Sequence, residues 1–491
     1  MKSFTAPAIA LSSAFFLLFF TTLVSSSSSS SFHPIDHYLI SCGSHEPSII
    51  DLDHRRFTGD SSTSASRFFT TPSTRTIPLT NSDPASSNSS PLYRTARAFS
   101  SPCKYSFPIQ DHRGGTHHLV RLHFSPFFNS TSFDFSAVQF HVLANGFLLL
   151  RDFSIQNSPK DGIVIKEYII RVDSDKLDIT FVPKKRSNFA FVNAIEVISA
   201  PHDLVADVAQ FVNSEKNERI NGLLNKGFET VYRVNVGGPK VTPFNDSLWR
   251  TWVPDGEFLE KSGHEGSLEI HFSGRIQYQM GGATREVGPD NVYNSARVIK
   301  SSNNVIPKSN IAWVFPGIEG YKYLVRMHFC DIASIGPYML YFNVYVNGNL
   351  AYEDLDLSAM TNMLLASPFY ADFVVEGLNS ESLNVSVGPS NMSLTNAVDA
   401  ILNGVEVFKI SNSLGSFDGE LCVESVMKSW RRGNAVVIVP LLAAVFLLLT
   451  ASVVVQRRRS GGRDTVGWLR LPVDVSEINL KYGSQQSSGK L

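Results

Sequence analysis

The chain repeats itself at a spacing of about 200 residues, and nothing else in it constrains the fold as strongly. His118-Leu119-Val120-Arg121-Leu122-His123-Phe124 returns as Tyr323-Leu324-Val325-Arg326-Met327-His328-Phe329. Phe140-His141-Val142, leading to Asn145-Gly146, returns as Phe342-Asn343-Val344, leading to Asn347-Gly348. Phe191-Val192-Asn193-Ala194-Ile195-Glu196-Val197 matches Ile401-Leu402-Asn403-Gly404-Val405-Glu406-Val407, and Tyr93 with Ala96-Arg97 matches Tyr293 with Ala296-Arg297. The landmarks keep their order. The chain thus divides into two homologous domains, 34–200 and 229–411.

The repeated segments alternate as strands do. Val120, Leu122 and Phe124 fall on one face and Arg121 and His123 on the other. Asn-Gly after such a run is a strong hairpin signal, because both residues tolerate positive φ. The fold class expected is mainly β, with one β-sandwich in each half. Between the halves, Leu204, Val208, Phe211 and Val212 recur at helical spacing, with Pro201 before them and Gly222 after. This predicts a connecting helix or linker over 201–228.

The ends look membrane-directed. Lys2, the apolar run Ala8–Val24 and the serines after it have the layout of a secretory signal, assigned to 1–27. Ala435–Val455 carries no charge and would span roughly 30 Å as a helix, the thickness of a bilayer core. Gln456-Arg457-Arg458-Arg459 comes next, which puts the C-terminal end in the cytosol. Residues 412–434 then read as a juxtamembrane stalk and 456–491 as a short disordered cytoplasmic tail. Sequons at Asn88, Asn129, Asn245, Asn384 and Asn391 all lie between the two apolar runs and mark glycosylation candidates. Cys42, Cys103, Cys330 and Cys422 precede the second run, so all are disulfide-capable, with three pairings open. A formal net charge of -1 gives no pull toward nucleic acid.

Candidate chemistry is sparse. His112, His117, His118, His123 and His141 cluster, but His118 and His123 point to opposite faces of a strand and no carboxylate is evidently placed to orient them. They read as surface or partly buried residues, and no metal or other cofactor is expected. Asp51/Asp53 and Asp354/Asp356 could share a strand face, yet local spacing does not make the paired carboxyls of a glycosidase. Arg121 and Arg326 hold equivalent positions and read as structural ion pairs or surface residues. Trp249, Trp252 and Tyr338, with Tyr341 and Tyr345, are the candidates for a ligand-binding aromatic platform, with core packing as the competing use.

Longer stretches resemble a known family. Glu229-Thr230-Val231-Tyr232-Arg233-Val234-Asn235-Val236-Gly237-Gly238, then Asn245-Asp246 to Trp249-Arg250-Thr251-Trp252, are similar to the second malectin-like domain of the Catharanthus-type receptor-like kinases of plants, the FERONIA, THESEUS, HERKULES and ANXUR group. So are Asp290 to Arg297, Arg326-Met327-His328-Phe329-Cys330 and Leu402 to Ile410. Ser41-Cys42-Gly43 and Ala96-Arg97-Ala98-Phe99 match the first domain. Leu355-Asp356-Leu357 and Trp468 to Glu477 lean toward THESEUS-like members.

The resemblance implies a single-pass type I plasma-membrane protein with its ectodomain in the apoplast. Its implied partners are a secreted rapid-alkalinisation-type peptide, a lipid-anchored co-receptor or a wall polysaccharide. Family members continue into a Ser/Thr kinase. After Gln456 this chain offers Gly461-Gly462 and Asp464 in isolation, and no H-R-D or D-F-G triplet occurs. A non-catalytic receptor-like protein is therefore expected. The alternative is the truncated product of a receptor kinase gene, with the ATP-binding domain missing from this chain.

Overall fold

The computed structural model describes residues 32–460, apart from 71–74, 82–89, 112–115, 128–132, 156–161, 185–188, 216, 261–266, 301–304, 307, 317–319, 377–381 and 396, and apart from the side chains of 217, 300, 431–442 and 459–460. The signal at 1–27, Asn88, Asn129, His112 and the tail beyond Ser460 lie outside the described residues.

Nine strands of one sheet form the frame on which both halves are built: β1 (His37–Ser41), β2 (Thr116–Phe124), β3 (Val164–Val172), β4 (Ala194–Ser199), β5 (Ala209–Val212), β6 (Phe228–Asn235), β7 (Lys322–Cys330), β8 (Pro368–Glu376) and β9 (Gly404–Ile410). Their order is β5-β8-β7-β9-β6-β3-β2-β4-β1. The first half contributes β3-β2-β4-β1 and the second β8-β7-β9-β6, the same arrangement twice. The join is made where Tyr168 and Ile169 of β3 meet Glu229 and Phe228 of β6, antiparallel. One sheet thus runs unbroken through both halves, and residues up to Val426 form a single compact unit.

Each half packs a second layer on its part of the shared sheet. In the first, 103–108, 176–183, 140–144 and 147–153 form a four-stranded sheet; in the second, 311–316, 382–389, 341–346 and 349–356 repeat it. Val120, Leu122 and Phe124 turn toward the first core, as their alternation requires, and Val325, Met327 and Phe329 toward the second. Both Asn-Gly pairs turn hairpins with positive φ at all four residues.

Among the described residues of 201–228, no connecting α-helix forms, against the prediction. Residues 209–212 and 217–220 are strands that pair with each other, and β5 runs parallel to β8 through Gln210↔Phe373 and Phe211↔Val374. The four-residue apolar stripe is outweighed by tertiary demand. β8 would otherwise present an open edge. The opposite face of the shared sheet also exposes Leu119, Ile169, Ile198, Leu324, Val374 and Phe408, which Leu204, Val205, Ala209 and Leu223 cover. An extended segment reaches both, whereas a helix of that length would reach one.

The expected stalk also differs. Its first residues fold back onto the first half: Leu148 N–H donates to Gly415 O, Phe417 N–H donates to Leu148 O, and the Phe417 ring is buried against Tyr168. A 38-residue helix, Val423–Ser460, then replaces the remainder of the stalk. The expected span Ala435–Val455 falls within this helix, partly on residues whose side chains are not described. Among the described residues, no helix is long and apolar enough to cross a membrane.

Candidate functional site: a cleft where the halves meet

The polar face of β2 becomes the floor of a cleft beside the β3–β6 join. Arg121 donates through Nε to Glu167 Oε2 and through Nη1 to Glu196. From the other half, Arg233 on β6 donates to Glu167 Oε1 and to Glu406 Oε1, both at 2.6 Å. Arg55 adds two bonds to Glu196 at 3.0 Å. Glu167 therefore bridges an arginine of each half. Burial pushes Glu167, Glu196 and Glu406 upward, but the arginines outweigh it and hold all three far below the usual carboxylate range.

Beneath this network each half carries the same buried device. Tyr93 Oη lies 3.1 Å from His123 Nδ1, and His123 Nε2 lies 2.8 Å from Glu196 Oε1. In the second half Tyr293, His328 and Glu406 repeat it at 3.0 and 3.2 Å. Asn193 accepts from the Ser125 amide and Asn403 from the Cys330 amide, each at 2.7 Å. Asp60 with Arg97 and the Tyr105 hydroxyl is matched by Asp255 with Arg297 and the Trp313 indole. Two of these histidines are fully buried and carboxylate-held, against the expectation: Glu196 holds His123, and Asp36 holds His118 at 3.1 Å, while His141 is partly buried as expected. Among the described residues, no group of three His, Cys, Asp or Glu is arranged to hold a metal.

The cleft above has a volume of about 730 Å³. Asp51, Asp53 and Leu92 line it from the first half; Tyr232, Lys240, Trp249, Glu257 and Phe258 line it from the second. Asp51 is occupied by the Arg55 guanidinium and by the Asp53 and Arg55 amides, which is a loop-closing role. With the floor charges already paired, the cleft offers an aromatic wall and a polar rim. Such a lining suits recognition of a ligand rather than proton transfer.

The aromatic candidates are separated. Trp249 lines the cleft, half-buried, with φ 56°. Trp252 is a core residue with no exposure; its indole donates to Asp246 Oδ2 at 3.0 Å, and its ring lies between Arg233, Arg250 and His328. Its platform role is withdrawn. Tyr338 is 46% exposed on a loop held through its amide by Ser358, away from the cleft lining. Sequence reasoning missed Glu167 and Arg233. The available signal was Glu196 and Glu406 at matching repeat positions inside otherwise apolar strands, since such charges are buried only when paired.

The remaining candidates are structural. Cys42 and Cys330 carry free thiols deep in the cores of different halves, where burial pushes both thiols well up, and Cys422 is a free thiol 3.1 Å from Ser425 Oγ. Cys103 is buried in the first core. The expected choice among three disulfide pairings is not realised by Cys42, Cys330 or Cys422. Asn245 and Asn391 are exposed, while the Asn384 amide donates to Glu260 Oε1 at 3.2 Å.

The malectin-like domain family matches residues 40–410, most of the chain. The chain belongs to the malectin-like family. Malectin-like relatives include the receptor-like protein kinase THESEUS 1 of Arabidopsis thaliana, 39% identical over 404 residues covering 81% of this chain and 44% of that protein. The receptor-like protein kinase HERK 1 of the same plant is 37% identical over 385 residues, 78% of this chain and 44% of its own. The chain spans less than half the length of these relatives. Among solved structures, the ANXUR1 extracellular domain from Arabidopsis thaliana superposes with a TM-score of 0.67 at 27% identity, covering 78% of this chain and 98% of that one. The chain matched in the complex of plant peptide RALF23 with FER and LLG2 gives 0.64 at 29%, covering 78% and 98%. The malectin-like fold of this chain is therefore that of the FER and ANXUR ectodomains.

Proposed function

We propose that this protein is a non-catalytic cell-surface receptor-like protein that binds a secreted peptide of the RALF type in the cleft between its halves, together with a small lipid-anchored co-receptor. The observation that carries this is the cleft itself, with its paired floor and half-buried aromatic wall of Tyr232, Trp249 and Phe258. The solved assembly of a similar ectodomain with RALF23 and LLG2 supports the choice of partners. Wall polysaccharide is a second ligand class for the same aromatic wall. The long helix would carry the ectodomain as a single span at the plasma membrane: Phe446, Leu447, Leu448 and Leu449 are each more than 60% exposed, which suits lipid rather than water.

The test is calorimetric titration of the full chain in detergent micelles with a RALF-type peptide and with pectin fragments, each with and without an LLG-type co-receptor. Saturable peptide binding at about micromolar affinity or tighter is expected, weakened at least about tenfold by Trp249→Ala. Absence of binding under all conditions would overturn the reading. A second reading, a receptor kinase whose catalytic part lies beyond these residues, is favoured by the length of the relatives. Sequencing the transcript past the codon for Leu491 distinguishes the two.

A further inference from the structure

Left-handed backbone marks two places in this chain besides its hairpins. Among the described residues other than glycine, Asn145, Asp152, Asn347 and Asp354 take positive φ in the duplicated hairpins and their bulges. His54 and Trp249 take it at the walls of the cleft between the halves. The other four are Tyr338, Asn362, Met363 and Ala366, with φ of 63°, 50°, 61° and 52°, and all lie in loops of the second half. Backbone held this way costs stability and gathers at sites of recognition.

Three loops make up this second place: 276–284, 331–340 and 357–367. Hydrogen bonds tie them into one surface. Gln279 donates through Nε2 to Thr361 O and accepts through Oε1 from Asn362 Nδ2. The Gln277 amide donates to Ala366 O, and the Ala366 amide donates to Asp331 O. The Tyr338 amide donates to Ser358 Oγ. The three loops hold a single charged residue, although Asp, Glu, Lys and Arg make up 18% of the chain. That residue is Asp331, only 4% exposed, with Oδ1 accepting from the Ala333 and Ser334 amides. Met280, Ile335, Tyr338, Met360, Met363 and Leu364 are exposed instead, Met280 and Ile335 almost completely. The fold does not require this. In the first half, Phe127 and Phe135, which follow β2, turn into the core. An apolar surface without charge has the composition of an interface core rather than of a solvated loop.

We propose that these loops dock against the same loops of a second copy of this chain. A two-fold contact lays each patch on its own image. A charged patch would repel its image, whereas this one brings no charge to the contact. The exposed methionines can repack against whatever side chains the axis sets opposite them. A partner recognised by its charge would find nothing here to pair with. The site is separate from the cleft between the halves and does not depend on the reading given to that cleft.

The test is sedimentation velocity of the full chain in detergent micelles over a range of concentrations, without peptide or co-receptor. A concentration-dependent dimer is expected. Ile335→Asp and Met363→Asp each set like charges on both sides of the contact and should weaken dimerisation at least about tenfold. Ile77→Asp, at an exposed apolar position of the first half, should leave it unchanged. Because all three positions are exposed, an unchanged melting temperature is expected and serves as the folding control. A chain that stays monomeric at every concentration would overturn the proposal. So would a dimer that survives both substitutions, which would be held by the long helix, or one weakened equally by Ile77→Asp. A monomer whose binding of an LLG-type co-receptor is lost on Ile335→Asp would likewise overturn it and give the surface to that partner. None of these outcomes turns on the RALF-type titration.

Discussion

The two halves share a buried Tyr–His–Glu device and differ in what they press against. In the first half Glu196 is shared by Arg121, Arg55 and His123, and Glu167 reaches an arginine of the neighbouring half. In the second, Glu406 holds His328 and Arg233, while Asp372 pairs with Arg326. The device kept in both copies is the one that lets a polar strand face be buried at all. What changed lies at the edge where the copies join. A duplicated sandwich thus gains a cleft by reusing one edge as an internal joint.

The largest expected effects break this comparison at the shared carboxylates. Glu196→Ala removes a buried carboxylate shared by Arg121, Arg55 and His123, leaving each one charged or polar partner short, and should cost about 3–5 kcal/mol in urea unfolding of the full chain, with Glu406→Ala costing a similar amount. A loss confined to one copy would end the claim of equivalence. Next is Phe417→Ala, which empties a fully buried ring site that the first half borrows from beyond the second. About 3 kcal/mol is expected, read from the same unfolding curves.

Acid sharpens the comparison further. Burial pushes His328 below the ordinary imidazole value, against the pull of Glu406, with Arg326 and Arg250 adding to the downward shift. The unfolded chain therefore takes up this proton first, and stability falls as pH drops below about 6.5. His328→Gln should flatten that slope by up to about 1.4 kcal/mol per pH unit in melts between pH 6.5 and 5. His117 and His141, also lowered by burial, leave a residual slope. Glu167, Glu196 and Glu406 act at lower pH. Their folded values are depressed, so their contribution is complete above about 4.3 and is lost only as pH falls further. The smallest effect belongs to Lys322–Glu376, whose side chains are 59% and 60% exposed. Glu376→Gln should move stability by about 0–1 kcal/mol.

Much of the fold was legible because duplication writes it twice. The strand alternation of β2 and β7, both Asn-Gly hairpins and the matching arginines all derive from local pattern. The segment 201–228 was not legible, because its apolar residues serve an edge and a sheet face that exist only after both halves fold. Trp252 was misread for a related reason. An indole reads the same on a surface or in a core until its partner is known, although Asp246, Arg250 and Trp252 lie close enough in sequence to have suggested a cluster. The cleft itself has no local signature, since its walls come from residues far apart in the chain.

The most direct test of the account is hydrogen exchange of the full chain with and without a RALF-type peptide and its co-receptor. Protection is predicted at the cleft walls, over Val231–Arg233 and Trp249–Thr251. Protection confined to the outer four-stranded sheets, with the cleft walls unchanged, would contradict it.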